Sequence, residues 1–214
     1  MNGAVIIETR VLPDLAKIIN DHLKYIPEDW GLTVFCSKEN VTLLGNLSRD
    51  ATIFYLDAHF PTSEYNKLLK SVEFWDKLKY EHVLIFQTDS MLLREGIEEF
   101  LEWDYVGAPW KFQYHGGNGG LSLRKVAVMK EICEKATFSK RNEDTLICNY
   151  MKEHEYNLAP REVCEKFSVE AIFKLGTLGY HSPEKWLTDD ECEQIITQYE
   201  KENRGNNRDF YRKD

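Results

Sequence analysis

Three stretches of this chain hold residue types that could do chemistry: Gln87-Thr88-Asp89-Ser90, His115-Gly116-Gly117-Asn118-Gly119-Gly120 and Asn142-Glu143-Asp144. Asp89 follows His82-Val83-Leu84-Ile85-Phe86, an apolar run that reads as a strand. In open α/β sheets, ligands gather at the carboxyl ends of strands, so a carboxylate there faces a ligand crevice. A hard cation such as Mg2+ or Mn2+ takes one or two protein carboxylates if waters and substrate phosphates complete its shell. The plainer reading of Asp89 is a turn residue capping the next segment. The second stretch holds four of the twelve glycines. Glycine admits positive φ and lets backbone amides approach a ligand closely. The run is neither a P-loop nor a dinucleotide-binding fingerprint, and a hairpin turn is its simplest alternative. Glu143 and Asp144 open a helical pattern, where the dipole favours acids, so capping alone would explain them. Glu8-Thr9-Arg10 follows the first strand, and Arg10 is either a phosphate or base contact or an exposed loop residue.

Elements that could position these groups alternate along the first half. Ala4–Ile7, Leu32–Cys36, Ile53–Leu56 and His82–Phe86 read as strands. Pro13–Tyr25 and Ser63–Lys79 read as helices between them. Continuous apolar runs suit a parallel sheet covered on both faces. After about residue 104, Tyr105–Ala108 and Leu121–Leu123 read as strands flanking the glycine-rich loop. Helices are expected over Lys125–Lys135, Glu143–Glu153 and Thr188–Lys201, with another strand over Phe167–Ile172. The expected fold is therefore α/β: one Rossmann-like domain over residues 1–201, its central sheet mostly parallel and flanked by helices. Residues 202–214 are polar and charged, and are expected to form a mobile tail.

Bulk properties narrow the class. At 214 residues the chain suits one well-cored domain. A net charge of -9 argues against a nucleic-acid surface, which needs clustered Lys and Arg. No apolar run approaches the roughly 20 residues that span a bilayer. The five cysteines form no CxxC pair and are odd in number, which points to free thiols in a reducing compartment. Two sequons, at Asn40 and Asn46, read as chance matches because no signal peptide precedes them. The expectation is a soluble, cytoplasmic protein.

The ordered blocks carry a resemblance. Ala4–Arg10, Trp30-Gly31, Leu68–Ser71 with Phe74-Trp75, and Leu84–Leu93 are followed by Gly107-Ala108-Pro109-Trp110, Gly116–Arg124, Asn142-Glu143-Asp144 and Phe167–Glu170. Their order and spacing, over about residues 4–182, resemble a family of predicted glycosyltransferases with the GT-A fold. The resemblance implies a nucleotide-sugar donor, UDP by default, a glycan or other hydroxyl acceptor, and a Mn2+ or Mg2+ cofactor. It makes Asp89 and His181 the metal ligands. Thr9, Arg10, Ser71, Gln87 and Thr88 would contact the nucleotide. Gly117, Asn118, Gly119 and Gly120 would line the donor sugar, and Trp110 offers a face to a sugar ring. Asp144 would be the general base of an inverting reaction, with Glu143 an acceptor-side or orienting residue. The sequence departs from the usual DxD motif, because Gln87 stands where the first Asp normally stands. A non-catalytic nucleotide- or carbohydrate-binding module and a retaining transferase are the alternatives.

Overall fold

The computed structural model describes residues 1–57, 60–137 and 142–202. The expected tail, apart from its first residue, lies outside the described residues. In chain order the elements are β1 (Gly3–Glu8), α1 (Leu15–Leu23), β2 (Gly31–Cys36), α2 (Lys38–Val41), β3 (Thr52–Tyr55), α3 (Thr62–Leu68), α4 (Val72–Lys77), β4 (His82–Phe86) and β5 (Ser90–Leu92). They continue with β6 (Tyr105–Ala108), β7 (Asn118–Lys125), α5 (Val126–Lys135), α6 (Glu143–Glu153), α7 (Arg161–Phe167), β8 (Ser168–Val169), β9 (Gly179–His181) and α8 (Asp189–Glu202).

Six strands form the central sheet in the order β3-β2-β1-β4-β7-β6. All pairings from β3 to β4 are parallel, and β7 is antiparallel to both its neighbours. Five of the six strands therefore run the same way, as the apolar runs predict. Both faces of the sheet are covered. Ala4, Ile6, Leu32, Val34, Leu84 and Phe86 pack on one side with Leu15, Ile19 and Leu23 of α1 and Phe167 of α7. Val5, Ile7, Phe35, Val83 and Ile85 pack on the other, with Phe74 and Trp75 of α4, Met129 and Ile132 of α5, and Ile147 and Met151 of α6. Alternate side chains of a strand leave on opposite faces, so apolar residues at every position are what a doubly covered sheet requires.

β1 lies between β2 and β4, so the strand order reverses at its edge. Such a reversal opens a crevice beyond the strand ends, where ligands bind. Glu8-Thr9-Arg10 and Gln87-Thr88-Asp89 leave β1 and β4 on either side of that crevice. A second sheet, β5-β9-β8, sits beside it and pairs Ser90 with His181.

Several elements depart from the expectations. Ser63–Lys79 is two helices, because the Ser71 hydroxyl donates to Leu68 O and accepts from Phe74 N–H, capping α4. A serine that bonds its own backbone favours a cap over a helix interior. The glycine-rich run is not all loop: Asn118, Gly119 and Gly120 already belong to β7. The expected strand over Phe167–Ile172 is only Ser168–Val169, entered from a helix over Arg161–Phe167. That helix spans two turns, and β5 and β9 have three residues each, too short for periodicity to show.

One ion pair ties α6 to the sheet. Arg124 of β7 meets Glu143 of α6 through two contacts, Nη1 to Oε2 at 2.8 Å and Nη2 to Oε1 at 2.9 Å. Both side chains are essentially inaccessible, at 0% and 4% exposure. Arg124 also donates from Nε to Ser122 Oγ at 2.9 Å, and its guanidinium stacks 4.9 Å from the Tyr105 ring centre. Removing one partner of such a pair strands a buried charge. Arg124→Met should therefore lower unfolding free energy by about 3–5 kcal/mol in urea titrations, and adding Glu143→Leu should restore much of the loss.

Candidate functional site

The end of β4 delivers Asp89 to the crevice, and the small sheet delivers its surroundings. The Asp89 carbonyl accepts from Ser182 N–H at 2.9 Å, locking the turn after β4 to the end of β9. Its Oδ2 accepts from Ser182 Oγ and from Lys185 Nζ, the latter at 3.2 Å. Its Oδ1 lies 3.4 Å from His181 Nε2. Burial pushes this carboxyl up, but bonds from His181 and Ser182 and the charges of His181 and Lys185 outweigh it and hold it well below the usual range. The opposite face of the His181 ring is fixed too, with Nδ1 3.3 Å from Glu170 Oε1. Burial lowers the His181 pKa, yet the bonds to Asp89 and Glu170 overcome it and raise it to about 9.

Gln87 Oε1 lies 3.1 Å from His181 Nε2, so the glutamine in the DxD-like stretch joins the same cluster. Thr88 Oγ1 accepts from Arg10 Nη2 at 3.0 Å, bridging the two sides of the crevice. Arg10 folds back on Glu8, with Nη2 2.6 Å from Oε2 and the Arg10 N–H donating to Oε1 at 2.7 Å. Glu8 is buried while the Arg10 side chain is 70% exposed, so the guanidinium is aimed outward from a fixed carboxylate. Thr9 is buried beside them.

Asp144 stands at the start of α6, facing β7. Its Oδ2 accepts from Gly119 N–H at 3.1 Å and its Oδ1 from Thr145 N–H at 2.6 Å. Burial raises its carboxyl from 3.8 to about 6, helped by the charge of Glu143 and opposed by these two amides and by Arg124. Glu143 has both oxygens committed to Arg124, and its own N–H donates to Asn66 Oδ1 at 2.6 Å. Glu143 thus holds the start of α6 against β7, and Asn66 of α3 serves as the cap that Asn142 does not supply. The glycines permit this packing. A Cβ on Gly119 would fall on Arg124 and Glu143, and one on Gly120 would fall on the His181 ring. Only a residue without a side chain fits at either position.

A cavity of about 120 Å3 joins these groups, lined by Thr62, Asn66, Gln87, Asn118, Gly119, Gly120, Asn142, Glu143, Asp144 and His181. On the other side of Asp89 is a larger cavity of about 540 Å3, whose lining includes Arg10, Thr88, Asp89, Met91, Tyr180 and Ile195. The Asp89–His181 pair thus stands between an apolar chamber and a polar one. Two expected donor contacts are placed otherwise: Ser71 is used as the α4 cap and lines neither cavity, and the Gly117 carbonyl accepts from the buried Tyr105 hydroxyl at 2.8 Å. Trp110 is buried. Arg124, Glu170, Ser182, Lys185 and Asn66 were not singled out from the sequence. Arg124 and Glu170 lie inside quoted motif blocks, and a charge within an apolar strand pattern was the available signal for Arg124.

His181 Nε2 lies 3.4 Å from Asp89 Oδ1 and 3.1 Å from Gln87 Oε1, so these are the side chains that would hold a divalent cation if one binds here. Glu170, 3.3 Å behind the imidazole at Nδ1, fixes the ring so that Nε2 faces Asp89 and Gln87. Among the described residues no group of three or more His, Cys, Asp or Glu could hold a metal, so the other positions would fall to water or ligand oxygens.

The raised Asp144 carboxyl makes a prediction with a definite sign. A folded-state pKa above the ordinary one favours the protonated form in the fold. The stabilisation is full below about 3.8 and is lost as pH rises through about 6. Compared with Asp144→Asn, the wild type should lose stability between those pH values and keep a constant deficit above them, as read from urea unfolding at each pH.

No curated protein matches the chain. A family model described as "Protein of unknown function (DUF5672)" matches residues 51–182, more than half of the sequence and a span that holds all three candidate stretches and His181. The chain belongs to the DUF5672 family.

Proposed function

We propose that this protein is a glycosyltransferase that moves a sugar from a nucleotide-sugar donor to an acceptor hydroxyl, assisted by Mn2+ or Mg2+ and with inversion at the anomeric carbon. One observation carries the reading. Asp144, a carboxylate raised to about 6, and His181, the partner of Asp89, line one cavity at the carboxyl end of β4. An alcohol is a poor nucleophile until its proton has somewhere to go, and a base near neutral pKa provides that. UDP is the default nucleotide, from the resemblance to GT-A enzymes.

In the proposed reaction the acceptor oxygen attacks the anomeric carbon while Asp144 takes its proton. The bond from that carbon to the phosphate oxygen breaks, and its electron pair leaves with the nucleoside diphosphate. Asp89 and His181, with Gln87 beside them, would hold the cation, which when bound neutralises negative charge on the diphosphate. Lys185 and the outward-facing Arg10 add positive charge at the same edge. The side-chain amide of Asn118, which lines the same cavity, would orient the sugar. No helix among the described residues is long and apolar enough to cross a membrane.

A second reading is a binding module without turnover. It is favoured by Gln87 in place of an acid, and by Lys185 and a protonated His181 already neutralising Asp89. Turnover separates the two. Incubated with a panel of nucleotide sugars, Mn2+ and candidate acceptors, the enzyme should release nucleoside diphosphate and form an inverted product. Asp144→Asn should still bind donor but lose transfer by about 10^2–10^4-fold. The wild-type kcat/KM should fall as pH drops below about 6, because the base must be unprotonated to act. Transfer that survives Asp144→Asn would assign the base elsewhere, and binding without any turnover would favour the module.

A further inference from the structure

Three carboxylates gather where β1, β4 and β9 end, and each has a basic partner. Glu8 holds Arg10, with Nε 3.0 Å from Oε1 and Nη2 2.6 Å from Oε2. Glu170 holds His181, with Oε1 3.3 Å from Nδ1. Asp89 holds Lys185, with Oδ2 3.2 Å from Nζ, and shares His181 with Glu170. The edge is thus charge-matched by the chain's own groups. A divalent cation that reaches Asp89 meets a carboxylate already supplied with a counter-ion, and like charges at that range repel, so one positive group has to give way.

The three basic groups differ in how firmly they are held. His181 is buried, and its ring is fixed at both nitrogens. Arg10 makes two contacts to Glu8 and a third to Thr88 Oγ1. The Lys185 side chain is 56% exposed, and its ammonium touches only the Asp89 carboxylate and, at 2.9 Å, Ser182 Oγ among the described residues. A lysine head is a point charge on a flexible four-carbon stem, so rotation of the stem releases both contacts together. Ser182 cannot follow. It is fully buried, its backbone is left-handed at φ 42° and ψ 47°, and its N–H donates to Asp89 O. The serine keeps its place on Asp89 while the lysine is able to leave.

We infer that Lys185 is an exchangeable counter-ion of Asp89, which competes with the divalent cation when no nucleotide is bound and turns to the diphosphate when one is. The inference rests on the transferase reading, from which it takes the cation and the diphosphate. It makes cation binding poor alone and better with nucleotide, because the diphosphate offers the ammonium new partners and draws it off Asp89. Exposed lysine–carboxylate pairs are worth a few-fold in an equilibrium rather than orders of magnitude. The exchange therefore tunes the affinity for the cation without closing the site.

The test is calorimetry at fixed pH, titrating Mn2+ into wild type, Lys185→Met and Lys185→Arg, with and without saturating UDP. Without UDP, Lys185→Met should bind Mn2+ about threefold to tenfold more tightly than wild type. Its further gain on adding UDP should be smaller than that of wild type, and by linkage Mn2+ should strengthen its UDP binding less. Lys185→Arg should restore the wild-type pattern. Lys79→Met removes the same charge ahead of β4, at the opposite edge of the sheet, and should change neither affinity. Unchanged circular-dichroism melting would show that the variants fold. The inference is overturned if Lys185→Met leaves Mn2+ binding without UDP unchanged or weakens it, or if Lys185→Arg or Lys79→Met tightens it as much. A UDP enhancement that is equal in wild type and Lys185→Met sinks this inference alone. Absence of Mn2+ binding in both, with and without UDP, sinks the metal-assisted reading and this inference with it.

Discussion

The buried pair of Arg124 and Glu143 is the constraint from which the rest of the polar site follows. An arginine inside a sheet is tolerated only when its donors are met, and here Glu143, Ser122 and the Tyr105 face meet them. Meeting them fixes the first turn of α6 against β7. That in turn sets Asp144 one residue on, facing the amide of Gly119. It also explains the glycine at position 119, because any side chain there would occupy the ion pair's space. The carboxylate of Asp144 is thus held beside the ion-paired one of Glu143. Its raised pKa follows from burial and from that neighbouring charge.

A second line of groups, Glu170, His181 and Asp89, does for the other wall what Arg124 does for α6. It crosses from β9 to the end of β4 and fastens the small sheet to the large one. The imidazole sits between two carboxylates, so its protonated form already plays the part of a cation. A metal at Asp89 would have to take the place of that proton, and metal affinity is lowered wherever a ligand must first be deprotonated. Diphosphate oxygens on the same ion would offset that cost. By linkage, a nucleotide that strengthens metal binding is strengthened by the metal to the same degree.

Long, doubly covered strands were legible in the sequence because most of their residues are apolar on both faces. His82–Phe86 and Tyr105–Ala108 begin and end where the runs do. The strand-end position of Asp89 and the helix-start position of Asp144 were readable for the same reason. What was not readable is what packing alone decides. Nothing local marks Ser90–Leu92 and Gly179–His181 as partners, since each is three residues long and they pair across most of the domain. The glycines suggested amides open to a ligand, whereas at 119 and 120 they make room for Arg124, Glu143 and His181. Ser71 was read toward the nucleotide, but its hydroxyl is taken by the backbone on either side of it.

The central proposal is that Asp89 and His181 would hold a divalent cation in company with a nucleoside diphosphate. Calorimetric titration of Mn2+ into the protein, with and without saturating UDP, tests it most directly. The account predicts weak binding to the protein alone, binding at least tenfold tighter with UDP, and loss of that enhancement in Asp89→Ala. Tight binding to the free protein, or UDP binding indifferent to the metal, would contradict it.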